Sequence, residues 1–220
     1  MRIARRWRWL AGIVALLAAA TAHAQVGPPS LKQLTQMRGH LLLQRLMILP
    51  PPPGAQPDPQ ATRYTYSAPV HAQAMHEAAE VLSRSGVSVG AASRLTDSGY
   101  FTNAARKYAA SIGLMHADSD VAQAVAAQMA ICLQAAQDTP TTASQAAQFA
   151  QQVQARLAVQ PTLAQMSSAE RQALAEPVQV QTGLAFWVIQ GRKRSSVNNN
   201  ELAYYCGQSL RALGIDLDKL

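Results

Sequence analysis

DSDVAQAVAAQMAICLQAAQDTP, residues 118–140, opens on a cluster of capping side chains and closes on a breaker. Asp118-Ser119-Asp120 supplies the oxygens that accept from the free N–H groups of a helix start. Asp138-Thr139-Pro140 ends the run, because proline cannot continue the hydrogen-bond ladder. Between them Val121, Val125, Gln128, Met129 and Cys132 recur at helical spacing and mark one inward stripe. Ala and Gln, both good helix formers, fill most of the remaining positions, beside Ile131 and Leu133. The β-branched and aromatic residues that strands favour are scarce. The segment predicts a helix.

The same grammar extends in both directions. Downstream, Thr142 caps a helix carrying Ala146, Phe149, Val153 and Leu157, which ends at Pro161. Ser167-Ser168-Ala169-Glu170 reads as a capping box, in which the two side chains satisfy each other's backbone donors. The helix it opens passes Leu174, kinks at or restarts from Pro177, and continues through Leu184, Trp187 and Val188 to Gly191. Asn200 caps a last helix with Leu202, Tyr205, Cys206, Leu210 and Leu213, closed by Gly214. Upstream, one helix follows Thr96-Asp97 with Tyr100, Phe101, Ala104, Tyr108 and Ile112 on one side. Another runs from Ser67, with Pro69 in its first turn, to Gly86, and Val87–Gly90 reads as a short extended or turn segment. No fixed-period repeat is present, so a solenoid is disfavoured.

A further helix is expected from Ser30 to about Leu49. Its second half, LLLQRLMIL at 41–49, is apolar nearly all round and needs cover on more than one side. Pro50–Pro53, Gly54, Pro57 and Pro59 then form a stiff spacer outside the core. The expected architecture is therefore all-α: a single helical bundle of about six helices over 63–220, preceded by a Pro-tethered N-terminal helix. Residues 25–62 hold that helix and its linker, which leaves the helix free to fold back or to dock on another chain.

Residues 1–24 read as a signal peptide. Arg2, Arg5, Arg6 and Arg8 precede an apolar stretch from about Trp9 to Ala20, then Ala22-His23-Ala24. That stretch is too short to span a bilayer, and no later run is long and apolar enough after cleavage. The periplasm or the extracellular space is the expected compartment. The whole chain of 220 residues carries +7, from 19 basic and 12 acidic side chains. Removing the four leader arginines leaves 15 against 12, too even a balance for a nucleic-acid binder.

Cys132 and Cys206, an even pair in an oxidising compartment, suggest one disulfide. Closing so long a loop adds about 4 kcal/mol in the chain-entropy account. Two buried thiols acting as small hydrophobes are the alternative.

Chemistry-bearing motifs are few. His76 and Glu80 stand at i, i+4 and resemble half of a helical zinc motif, but the second position is Glu and no third ligand is evident, although His40, His71 or His116 could approach. A solvated helix face is the simpler reading. Arg192, Lys193 and Arg194 form one basic run in a polar loop, either an anion contact or a solvated turn whose charge suits a helix C-terminus. The aromatics at helical spacing read as core. No nucleophile elbow, Walker loop or dinucleotide glycine pattern occurs, so no catalytic residue, metal ligand or cofactor is assigned.

Glu170-Arg171-Gln172-Ala173-Leu174-Ala175-Glu176 and the closing Leu213-Gly214-Ile215-Asp216-Leu217 resemble a family of uncharacterised exported bacterial helical proteins, catalogued as a domain of unknown function. The resemblance covers the C-terminal third clearly and departs from the family pattern at Pro177. It implies a helical fold and export, with no activity or binding residue to carry over.

The expected function follows from the apolar helix. A non-enzymatic protein acting through protein–protein contacts, of an envelope-accessory or toxin-neutralising type, would use Leu41, Leu42, Leu46 and Leu49 as its interface, with a protein partner or with itself. A carrier of small apolar ligands or lipids, holding them among its Ala-rich helices, is the alternative. An envelope hydrolase with dispersed catalytic residues ranks third.

Overall fold

The computed structural model describes residues 29–192 and 199–216. Ten helices account for the regular structure among them: α1 (Pro29–Leu34), α2 (Arg38–Ile48), α3 (Ala68–Arg84), α4 (Val89–Asp97), α5 (Tyr100–Ser111), α6 (Val121–Gln137), α7 (Ala143–Leu157), α8 (Pro161–Gln165), α9 (Ser168–Arg192) and α10 (Asn199–Ala212). No strand occurs among the described residues; the one β-type pairing is an isolated bridge between Arg63 and Asp120. The protein is an all-α bundle.

The segment that announces the fold becomes its centre. Asp120 caps α6, its carboxylate accepting from the backbone N–H of Ala122 at 2.8 Å and Gln123 at 3.2 Å. Thirteen of the seventeen α6 residues are buried, so this helix is covered all round. It packs on α7, α9 and α10, while α9 also packs on α5, α2 and α3. Thr142 and Gln145 form a capping box at the start of α7. Ser167 and Glu170 do the same at α9, with Ser167 N donating to Glu170 Oε2 at 2.7 Å and Glu170 N to Ser167 Oγ at 3.2 Å. Gly214, at φ 73°, closes α10 while Ile215 N reaches back to Leu210 O at 3.0 Å.

Small residues let the backbones touch. A methyl group in place of the Gly183 hydrogen would lie 1.9 Å from Phe101 O, so α9 and α5 meet main chain to main chain there. Gly39 does the same for α2, where a methyl would lie 1.8 Å from Ala173 O. Ala173 is the residue whose carbonyl Pro177, four positions on, cannot reach with an N–H. α9 runs continuously through Pro177, and the glycine of α2 abuts the carbonyl that the proline leaves free. Cys132 and Cys206 form a disulfide between α6 and α10, with Cα atoms 5.2 Å apart.

Three segments differ from the sequence expectation. The helix expected from Ser30 to Leu49 is broken at Thr35–Met37, where Thr35 Oγ1 bonds back to Lys32 O at 2.7 Å and Met37 adopts extended backbone. The break lets Leu31, Leu34 and Met37 bury beside Leu43, Leu46 and Met47. Val89 and Gly90 belong to the start of α4, and Gly99, at φ 61°, separates α4 from α5. Pro161, expected only to end a helix, also begins the five-residue α8.

The N-terminal helix folds back on its own bundle, lying on α9 and touching α7. The prolines at 50–53 are exposed, whereas Ala61 and Thr62 at the end of the linker are fully buried. Thr62 Oγ1 reaches both Asp120 Oδ2 at 3.2 Å and Gln154 Oε1 at 2.7 Å.

Gly183→Ala forces α5 and α9 apart. It is expected to lower the melting temperature by roughly 3–10 °C, read by circular dichroism, since overpacking costs about 1–3 kcal/mol.

Candidate functional site

The two sides of α2 have opposite characters. His40, Leu43, Leu46 and Met47 are buried against the bundle. Leu41, Leu42, Ile48 and Leu49 are exposed at 41, 38, 51 and 54%, which makes them an apolar face in water. Helical spacing places the exposed Arg38 and Arg45 on the same side as those four, so the face carries two positive charges. Of the four leucines expected as an interface, Leu41, Leu42 and Leu49 face outward, while Leu46 is core at 2% exposure. Beside the face runs a groove of about 260 Å³ between α2, α7 and the turn after α10, lined by Met47, Met129, Val153 and Ile215 with Arg156.

Polar side chains fix the inner side of α2. His40 is fully buried, and Gln181 Nε2 donates to its Nδ1 at 3.1 Å. Gln181 Oε1 accepts from Gln128 Nε2 at 2.6 Å and also from the hydroxyl of Ser209. Gln128 Nε2 further meets Ser209 Oγ at 2.7 Å. One network thus joins α2, α9, α6 and α10 beside the disulfide. His40 Nε2 and Gln128 Oε1 lack a partner within it. Burial pushes the His40 imidazole down to about 4, because a charged ring there would lose its hydration. At the outer ends of α2, Arg38 N donates to Glu77 Oε1 at 2.8 Å and Gln160 Nε2 to Leu49 O at 3.0 Å.

A second constellation lies between α3, α5 and α9. Glu176 is buried at 2% exposure; its Oε2 lies 3.0 Å from His71 Nδ1, and its Oε1 accepts from Gln172 Nε2 at 2.8 Å. Gln172 is clamped in turn to the Ser67 backbone, accepting from N at 2.6 Å and donating to O at 3.0 Å. Gln179 Nε2 donates to Tyr64 Oη at 2.9 Å and Ala117 O at 2.9 Å. Burial, then the Glu176 charge, hold the Tyr64 phenol above its ordinary range, so it stays neutral. Arg106 and Asp118 pair at 3.2 Å nearby. Of these residues His71, Arg106, Asp118, Glu176 and Gln179 border a cavity of about 130 Å³.

The other expected groups are placed as follows. His76 and Glu80 form a solvent-exposed pair at 3.2 Å, and no cluster of three His, Cys, Asp or Glu suited to a metal ion occurs among the described residues. Arg192 is the last residue of α9, while Lys193 and Arg194 lie outside the described residues, as do positions 1–24. Phe101 and Tyr108 are core, and Tyr100 and Tyr204 are exposed. Among the described residues no helix is long and apolar enough to cross a membrane. His71 with Glu176, and His40 with Gln181, escaped sequence reasoning because 105 and 141 positions separate the partners.

The chain belongs to a family of unknown function (DUF6683), whose members it matches over residues 50–220. No curated protein and no solved structure matches it. α1 and α2 therefore lie outside the matched region, and the bundle they cover lies within it.

The depressed His40 value sets a pH dependence. The unfolded chain takes up this proton near pH 6.5 and the folded one only near pH 4. Stability is accordingly full above about pH 6.5 and falls as pH drops toward 4, by up to roughly 3 kcal/mol. Thermal melts of His40→Gln across that window should show a shallower decline than the parent chain.

Proposed function

We propose that this is an exported protein, periplasmic or secreted, that works through protein–protein contacts made by the outer face of α2. The observation that carries the reading is the exposed set Leu41, Leu42, Ile48 and Leu49, held outward by a helix whose other side is buried. Apolar side chains gathered on one rigid face are what a partner's apolar surface covers. The groove beside them extends that surface, and Pro50–Pro53 stiffen its edge. Export is supported by the leader-like residues 1–24 and by the disulfide, a bond that persists in oxidising compartments.

The carrier reading draws less support. Where the Ala-rich faces of α5 and α6 meet α9, the recess lined by Ala105, Ala117, Ala124 and Ala127 measures only about 10 Å³. That is space for about one water rather than an acyl chain.

The double variant Leu41→Glu/Leu49→Glu tests the interface. Both positions are exposed, so its melting temperature should match the parent's. Light scattering and affinity capture from the periplasmic fraction are the readouts. The proposal expects a self-associated species or a stoichiometric partner that the variant loses. A monomeric parent whose captured proteins are all retained by the variant would refute it.

A further inference from the structure

The cavity at His71 and Glu176 shares no residue with the α2 surface and has no part in the reading above. It is a built site. Glu176 is buried and held on both oxygens, and the Gln172 that holds one of them is itself fastened to the main chain at Ser67. With His71 Nδ1 engaged by the carboxylate, Nε2 is the ring nitrogen left for a guest. Such preorganisation means that a guest meets oriented groups without ordering them first.

The charged groups around the cavity are already engaged by partners. His71 faces Glu176 at 3.0 Å and Arg106 faces Asp118 at 3.2 Å. An anion would be opposed by two carboxylates and a cation by the guanidinium, and none of these groups offers an unpartnered charge to a guest. What remains on offer is a mixture of donors and acceptors: the Arg106 N–H groups, the Asn103 amide, the Asp118 carboxylate and His71 Nε2. A hydroxyl group both donates and accepts, and adjacent hydroxyls on a ring fit such a mixture in pairs. Tyr66 adds an apolar wall at the mouth. The residue is 54% exposed, and its ring leans on the His71 ring with centroids 5.8 Å apart. The C–H face of a sugar ring can rest on it while the hydroxyls turn inward. The volume of about 130 Å³ holds several waters that such hydroxyls would replace bond for bond.

We propose that this cavity binds one neutral polyhydroxyl ring of monosaccharide size, with Tyr66 as its stacking platform and Asn103, Arg106, Asp118 and His71 as its hydrogen-bonding partners. A guest of about twelve non-hydrogen atoms in so open a site binds with Kd on the order of 1 mM.

NMR titration of the full mature chain with methyl β-glucoside tests this, with glucosamine and glucuronate as cationic and anionic counterparts. Saturable shifts of the Tyr66 and His71 ring signals are expected with the neutral glycoside, and severalfold weaker binding with either charged sugar. Tyr66→Ala and Asn103→Ala alter exposed side chains and should melt like the parent, while each weakens binding by roughly 3–10-fold. No saturable shift with the glycoside, tighter binding of a charged sugar, or parent-like titration of Tyr66→Ala would each overturn the proposal.

Discussion

The contact between Gly39 and the Ala173 carbonyl decides how the rest of the N-terminal region is used. Pro177 deprives that carbonyl of its helical donor, and only a residue without a side chain can lie against it so closely. Once Gly39 is seated, the neighbouring ring of His40 enters the bundle and meets Gln181, and Leu43, Leu46 and Met47 follow at helical spacing. The same geometry turns Leu41, Leu42, Ile48 and Leu49 to water. Their exposure is thus a consequence of a well-determined seat.

Beneath that seat, the bundle relies on close helix approach more than on bulky side chains. α6 is sheathed on all sides, and Gly183 admits the α5 backbone directly. Large apolar residues such as Phe101, Met129 and Leu174 fill what the alanines leave. Uniform helices of this kind could slide past one another with little change in apolar burial. The His40–Gln181–Gln128–Ser209 network and the Cys132–Cys206 bond act against sliding, since a shift by one turn would strand buried polar groups.

Local chemistry made much of this fold legible. The caps at Asp120, Thr142 and Ser167, the Gly214 stop and the pairing of the two cysteines could all be read from neighbouring residues or from a count. Features decided by tertiary contact could not. Thr35–Met37 breaks an apolar pattern that periodicity alone continues, because burying both halves on one bundle needs a change of direction. Val89 is β-branched and Gly90 has a permissive backbone, and both argue against the helix they start. The leucines at 41–49 looked alike in sequence, and only docking on α9 sorts Leu43 and Leu46 inward from Leu41, Leu42 and Leu49. Glu176 gives no local sign that it will meet His71, and its place before Pro177 suggested a kink rather than a buried carboxylate.

Native-state amide hydrogen exchange along α2 tests most directly whether this helix is part of the body of the protein. The account predicts that Leu43, Leu46 and Met47 are protected far beyond a fraying terminus. It also predicts that Gly39→Val removes this protection while α6 keeps its own. Rapid exchange at those three amides in the unaltered chain, with α6 protected, would show that α2 is not seated on α9 and would contradict it.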